Sequence, residues 1–78
     1  MSLPMSHTPL APDAYLLDLF SSKAARTGGV IRRKSSDIDR YIGRREFLRE
    51  LKRRGYRAIE NSGQIIVFCN TAPVRVLT

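Results

Sequence analysis

Apolar residues recur at helical spacing in three stretches of the chain and run without a break in a fourth. Between Pro12 and Arg26, Leu16, Leu17, Phe20 and Ala24 repeat at intervals of three and four, with Tyr15 and Leu19 widening the stripe. This spacing predicts one largely buried helix. Pro12 and Asp13 suit its first turn, Lys23 and Arg26 its last, and Gly28-Gly29 stops it. Ile38, Tyr41 and Ile42 form a smaller apolar face behind an expected N-cap at Ser36, with Asp39 at the capping-box position. Gly43 then lets the chain turn with a positive φ. A third helix is expected over Arg44 to Arg54, with Phe47, Leu48 and Leu51 as its buried seam and Gly55 as its end.

Strand patterns fill the gaps. Val30 to Lys34 reads as a short strand, and Tyr56 to Glu60 and Gln64 to Cys69 as two more joined by a turn at Asn61-Ser62-Gly63. Ile65 to Cys69 is continuously apolar, which predicts a strand that is central or covered on both faces. Cys69 is expected in the core. Thr71 to Thr78, with Pro73 and alternating Val74 and Val76, fits an edge strand, a dimer arm or a loose tail. Residues 1–11 hold Pro4, Pro9 and the sole histidine, His7, without periodicity, and read as a disordered lead. The expected fold is a small α+β domain over residues 12–70, in the order α-β-α-α-β-β, followed by a tail over 71–78.

Length and composition narrow the classes. Seventy-eight residues with 42% hydrophobic content make one domain with a modest core, a size at which dimerising adds stability, so a homodimer stays open. No run is long and apolar enough to cross a bilayer, the N-terminus lacks the pattern of a secretory signal, and one cysteine excludes an internal disulfide. A cytoplasmic setting is expected.

Charge changes the picture further. The net charge is +7, and twelve of the fourteen basic residues but only four of the seven acidic ones lie between Arg26 and Arg57, a local balance of +8. Eleven of the basic residues are arginine, whose planar fork suits phosphates and guanine edges. On the third helix Arg45, Arg49 and Arg53 fall four apart beside Lys52. Like charges at that spacing cost an isolated helix about 0.2–0.5 kcal/mol per pair, a cost that an anionic partner relieves. Glu46 and Glu50 offer the plainer alternative of a solvated, partly neutralised face. Arg32, Arg33 and Lys34 form an auxiliary basic patch.

Chemistry-bearing constellations are missing from the sequence. One histidine, one cysteine and scattered acids do not make a metal site, and no cofactor is expected. Asp37 and Asp39 lie two apart and would point in different directions on a helix. Gly28-Gly29 lacks the lysine-serine ending of a phosphate loop. The expectation is a binding protein and not an enzyme.

The order of elements resembles the winged-helix family of helix-turn-helix domains over Pro12 to Asn70. That resemblance implies a recognition helix at Arg44 to Arg54 that enters the major groove. Arg44, Arg45 and Arg49 would contact bases or phosphates, and the turn at Asn61-Ser62-Gly63 would be the wing. A second resemblance covers Phe47 to Phe68, where FLRELKRRGYRAIENSGQIIVF is similar to the helix, Gly-aromatic, strand and turn of HicA-type toxins. That family places a catalytic histidine just after the turn glycine, where this chain has Gln64. The chain also resembles short alphaproteobacterial proteins, some named phosphoribosylanthranilate isomerase. That enzyme is a (β/α)₈ barrel of ~200 residues or more, which this chain is too short to build. The leading expectation is a nucleic-acid-binding domain, with a transcriptional regulator as its expected form and DNA ahead of RNA. It uses Arg44, Arg45, Arg49, Lys52 and Arg53, helped by Arg32, Arg33 and Lys34. The alternative is a protein-interaction module that docks an acidic partner on the basic face or pairs its tail from Val74 with another chain.

Overall fold

A computed structural model describes residues 12–78; the expected lead over residues 1–11, His7 included, lies outside the described residues. Among the described residues, four helices and three strands follow one another as α1 (Pro12–Phe20), α2 (Lys23–Arg26), β1 (Val30–Lys34), α3 (Ser35–Tyr41), α4 (Arg44–Arg54), β2 (Arg57–Asn61) and β3 (Gln64–Phe68). The strands form one antiparallel sheet in the order β1-β3-β2, with the helices on one of its faces. With α1 and α2 taken as one helical segment, this is a small α+β fold in the order α-β-α-α-β-β, compatible with a winged-helix-like domain.

The core lies between the layers. Ile31, Ile65 and Val67 rise from the sheet to meet Leu19 and Phe20 of α1, Ile38 of α3 and Phe47 and Leu51 of α4. Phe47 is 0% exposed, and burying such a side chain contributes roughly 1.5–3 kcal/mol. β3 is central, as its apolar run predicts, pairing Ile31 with Val67 on one side and Ala58 with Val67 on the other. It is covered on one face only: Ile65 and Val67 are buried, whereas Ile66 and Phe68 are half-buried. Cys69 is buried just beyond the strand, and its N–H donates to the Gly29 carbonyl at 2.9 Å.

Several expectations are corrected. The first helix is not continuous to Arg26. Ser21 and Ser22 donate their hydroxyls back to the carbonyls of Asp18 and Leu19, at 3.2 and 2.9 Å, and Ser22 leaves the helical conformation. Its Oγ then accepts from the Ala25 N–H, so a serine pair that competes for backbone groups ends one helix and caps the next. The α1 stripe is also narrower than expected, with Leu17 68% exposed.

At α3, Ser36 is not the cap. The helix starts at Ser35, directly after β1, and no side chain caps it. The Ser35 N–H donates to the Gly63 carbonyl at 2.8 Å, so the hairpin turn satisfies one of the free N–H groups at the helix start. Gly43, at φ 95°, makes the expected break before α4. In α4, Phe47 and Leu51 occupy the core but Leu48 is 51% exposed at its rim, over a cleft of about 160 Å³ that separates α4 from β2. The hairpin turn is two residues long, with Ser62 at φ 49° and Gly63 at φ 75°, the backbone signs of a type I′ turn. β2 begins at Arg57 and β3 ends at Phe68, one residue inside each expected outer bound, and β2 runs on to Asn61. Thr71 to Thr78 forms no strand and is exposed throughout.

Candidate nucleic-acid interface

The solvent face of α4 is built by its own periodicity. Phe47 and Leu51 lie one turn apart and turn inward, which fixes Arg45, Arg49 and Lys52, at i, i+4 and i+7, on the opposite side. All three are exposed, as is the neighbouring Arg53. The helix carries six cations against two carboxylates. Its C-terminus is closed by Gly55 and Tyr56, whose N–H groups donate to Lys52 and Leu51 carbonyls at 3.1 and 2.9 Å. Lys52, Arg53 and Arg54 occupy the last turn, where the helix dipole favours cations.

The cations are not equally free. Arg49 faces Glu46 at 3.1 Å. Arg53 and Arg54 share the Glu50 carboxylate, each at 2.6 Å. Hydrogen bonds from Arg53, then from Arg54, hold Glu50 below the usual carboxylate range against the opposing effect of burial, and Glu50 in turn raises the Arg53 guanidinium. Arg54 also lies over the Phe20 ring, 4.4 Å from its centroid, which ties the helix end to α1. Arg45 and Lys52 have no carboxylate partner among the described residues.

Arg44 is the most heavily committed cation. Its Nε and Nη2 donate to the two Asp39 oxygens at 3.0 and 3.3 Å, and its Nη1 and Nη2 donate to the Glu60 oxygens at 3.1 and 3.0 Å. Ser35 adds a 2.6 Å bond from Oγ to Glu60 Oε2. The bond from Arg44, followed by that from Ser35, lowers the Glu60 carboxyl below its usual range. The guanidinium itself is raised, first by Glu60 and then by Asp39. One cation between two carboxylates has no charge left over for an outside anion. The sequence places Arg44 among the contacts; the structure makes it the joint between α3, α4 and the hairpin. The same joint holds Glu60, so the acid beside the neutral tip at Ser62-Gly63 is paired within the fold, sharing the guanidinium with Asp39.

The auxiliary patch on β1 does not join the α4 face. Arg32 and Lys34 alternate with buried Ile31 and lie on the sheet face turned away from the helices. Arg33 lies on the helix side beside Tyr15, whose hydroxyl burial pushes up and whose shift Arg33 partly offsets. Its Nη1 donates to the Arg32 carbonyl at 2.8 Å. Arg40, which the sequence reading did not single out, is an exposed cation on α3 whose guanidinium lies 5.6 Å from the Tyr41 ring centroid.

Among the described residues no group of histidine, cysteine and carboxylates could hold a metal ion, and no helix is long and apolar enough to cross a membrane. No family model, curated protein or solved structure matches the chain.

Proposed function

We propose that this domain binds nucleic acid, duplex DNA ahead of RNA, through the solvent face of α4. The observation that carries the reading is the row Arg45, Arg49 and Lys52 opposite the buried seam, in which Arg45 and Lys52 have no carboxylate partner among the described residues. Arg49 and Arg53 are paired only on the surface, where an ion pair is worth little and a phosphate competes readily. The free energy of binding comes first from neutralised phosphates and released counterions. In a winged-helix arrangement the first turns of α4 would face base edges, so Arg45 and Arg49 are the residues placed to read sequence, while Lys52 and Arg53 hold the backbone. Arg44 acts as a positioning residue, holding the hairpin against the helix that binds.

The test is a fluorescence-anisotropy titration with mixed-sequence duplex DNA at two salt concentrations. The reading expects affinity that falls steeply with salt and weakens in Arg45→Ala/Lys52→Ala. A folded protein that shows no binding at low salt sinks it.

A further inference from the structure

The outer face of the sheet is a second surface, separate from α4. Antiparallel register puts Val30 beside Phe68, and Ile66 between Arg32 and Ile59, all on the side without helices. Val30 is 52% exposed and Ile59 47%, with Ile66 and Phe68 half-buried between them. The charged members of the face are Arg32 and Lys34 on β1 and Arg57 on β2; none has a carboxylate partner among the described residues. The remaining positions are Gln64 and Asn61, so the face holds three cations and no acid. Its apolar line follows the central strand and its charges flank that line on both edges.

We propose that this face docks an acidic amphipathic helix of a partner protein. Three strands at ~4.8 Å spacing present a surface about 10 Å wide, the width of one helix. An apolar stripe on that helix would lie along Ile66 and Phe68, with carboxylates on one flank meeting Arg32 and Lys34 and on the other meeting Arg57. Other occupants fit less well. A second copy of the face would set three cations against three. The chain's own tail carries Arg75 and no acid side chain; its residues Ala72 to Arg75 share a cleft with Phe68 at one end of the face, and its Val76 and Leu77 are exposed, so it leaves the line from Ile66 to Ile59 open. Residues 1–11 contain no carboxylate side chain either. Single-stranded nucleic acid needs stacking platforms, and this face offers one half-buried ring among aliphatic side chains.

The experiment uses the full chain and a fluorescein-labelled synthetic helical peptide with a leucine stripe flanked by glutamates, beside a control with lysines in their place. The expected result is salt-sensitive binding of the glutamate peptide only, weakened at least about tenfold by Arg32→Glu and by Ile59→Asp. Both positions are exposed, and circular dichroism checks that each variant folds. Arg45→Ala/Lys52→Ala, which disables the α4 surface, should leave peptide binding within about twofold, so the two proposals fail separately. Any of four results overturns the inference. They are equal binding of both peptides, no binding at about 100 μM protein, labelled oligouridine held by the same residues, and a concentration-dependent dimer that Ile59→Asp abolishes.

Discussion

Arg44, on the first turn of α4, grips Glu60 on β2 with two hydrogen bonds, of 3.1 Å from Nη1 to Oε1 and 3.0 Å from Nη2 to Oε2. The residues are sixteen apart in sequence and belong to different layers of the fold. Asp39 completes the grip from α3, so one guanidinium links the helix pair to the hairpin. In a double-mutant cycle, Arg44→Ala and Glu60→Gln should be non-additive, each removing what the other needs. Thermal unfolding reads the cycle, and amide exchange in β2 should rise in both single variants. Simple additivity would show that the joint carries no coupling.

Acid should weaken the fold in a defined window. Glu50 and Glu60 are held below the ordinary carboxylate value of about 4.3. A carboxyl lowered in the folded state contributes stability that is fully present above the unfolded value and lost as pH falls through the folded one. The melting temperature should therefore be flat from pH 7 to about 5.5 and decline below about 4.5. A Glu50→Gln/Glu60→Gln variant should decline less steeply over the acid part of the same scan.

Salt dependence should sort the α4 cations by their freedom. Arg45→Ala and Lys52→Ala should each reduce the salt slope of duplex DNA binding by about one. Arg44→Ala should leave that slope unchanged, because its charge is already spent on Asp39 and Glu60. A slope that responds to Arg44 and not to Arg45 would place the binding surface elsewhere.

Two neighbours on α4 should differ sharply in their effect on stability. Phe47→Ala empties the centre of the core and should cost about 3–5 kcal/mol, enough to unfold much of a domain this small. Leu48→Ala, at the rim of the cleft, should cost less than about 1.5 kcal/mol. Chemical denaturation of the two variants checks both values.

Cys69 should be unreactive while the protein is folded. It is buried, and that burial pushes its thiol up from the ordinary value, with Arg54 opposing weakly. Alkylation by iodoacetamide at neutral pH, followed by mass spectrometry, should be slow in buffer and fast in denaturant.

Local signals made α4 legible. Phe47, Leu51 and Gly55 fix its face and its end within a few residues of chain, and the structure bounds it where they do. β3 was legible as the central strand from its apolar run, but the run has two causes. Ile65 and Val67 face the core, whereas Ile66 and Phe68 face outward onto an open surface. Periodicity cannot separate a strand covered twice from one covered once. The break at Ser21-Ser22 is not legible in the sequence because serine reads as an ordinary helix residue until its hydroxyl chooses a carbonyl. The commitment of Arg44 is not legible for a different reason: both its partners are on other elements, and only the folded chain brings Glu60 to it. Arg32 and Lys34, adjacent in sequence to the helices, end on the far side of the sheet because strand alternation sends them there.

The placement of β3 between β1 and β2 has a consequence for how the chain is made. β2 and β3 are neighbours in sequence and can zip from their two-residue turn within microseconds. Among the described residues, β1 is the first strand to leave the ribosome, yet it pairs only with the last. Until Phe68 has been synthesised, Ile31 has no strand to pair with and the helices no complete sheet to cover. The nascent chain therefore carries an unpaired, basic strand from Lys34 until β3 follows it. The charges of Arg32, Arg33 and Lys34 keep that strand from seeking the wrong neighbour while it waits.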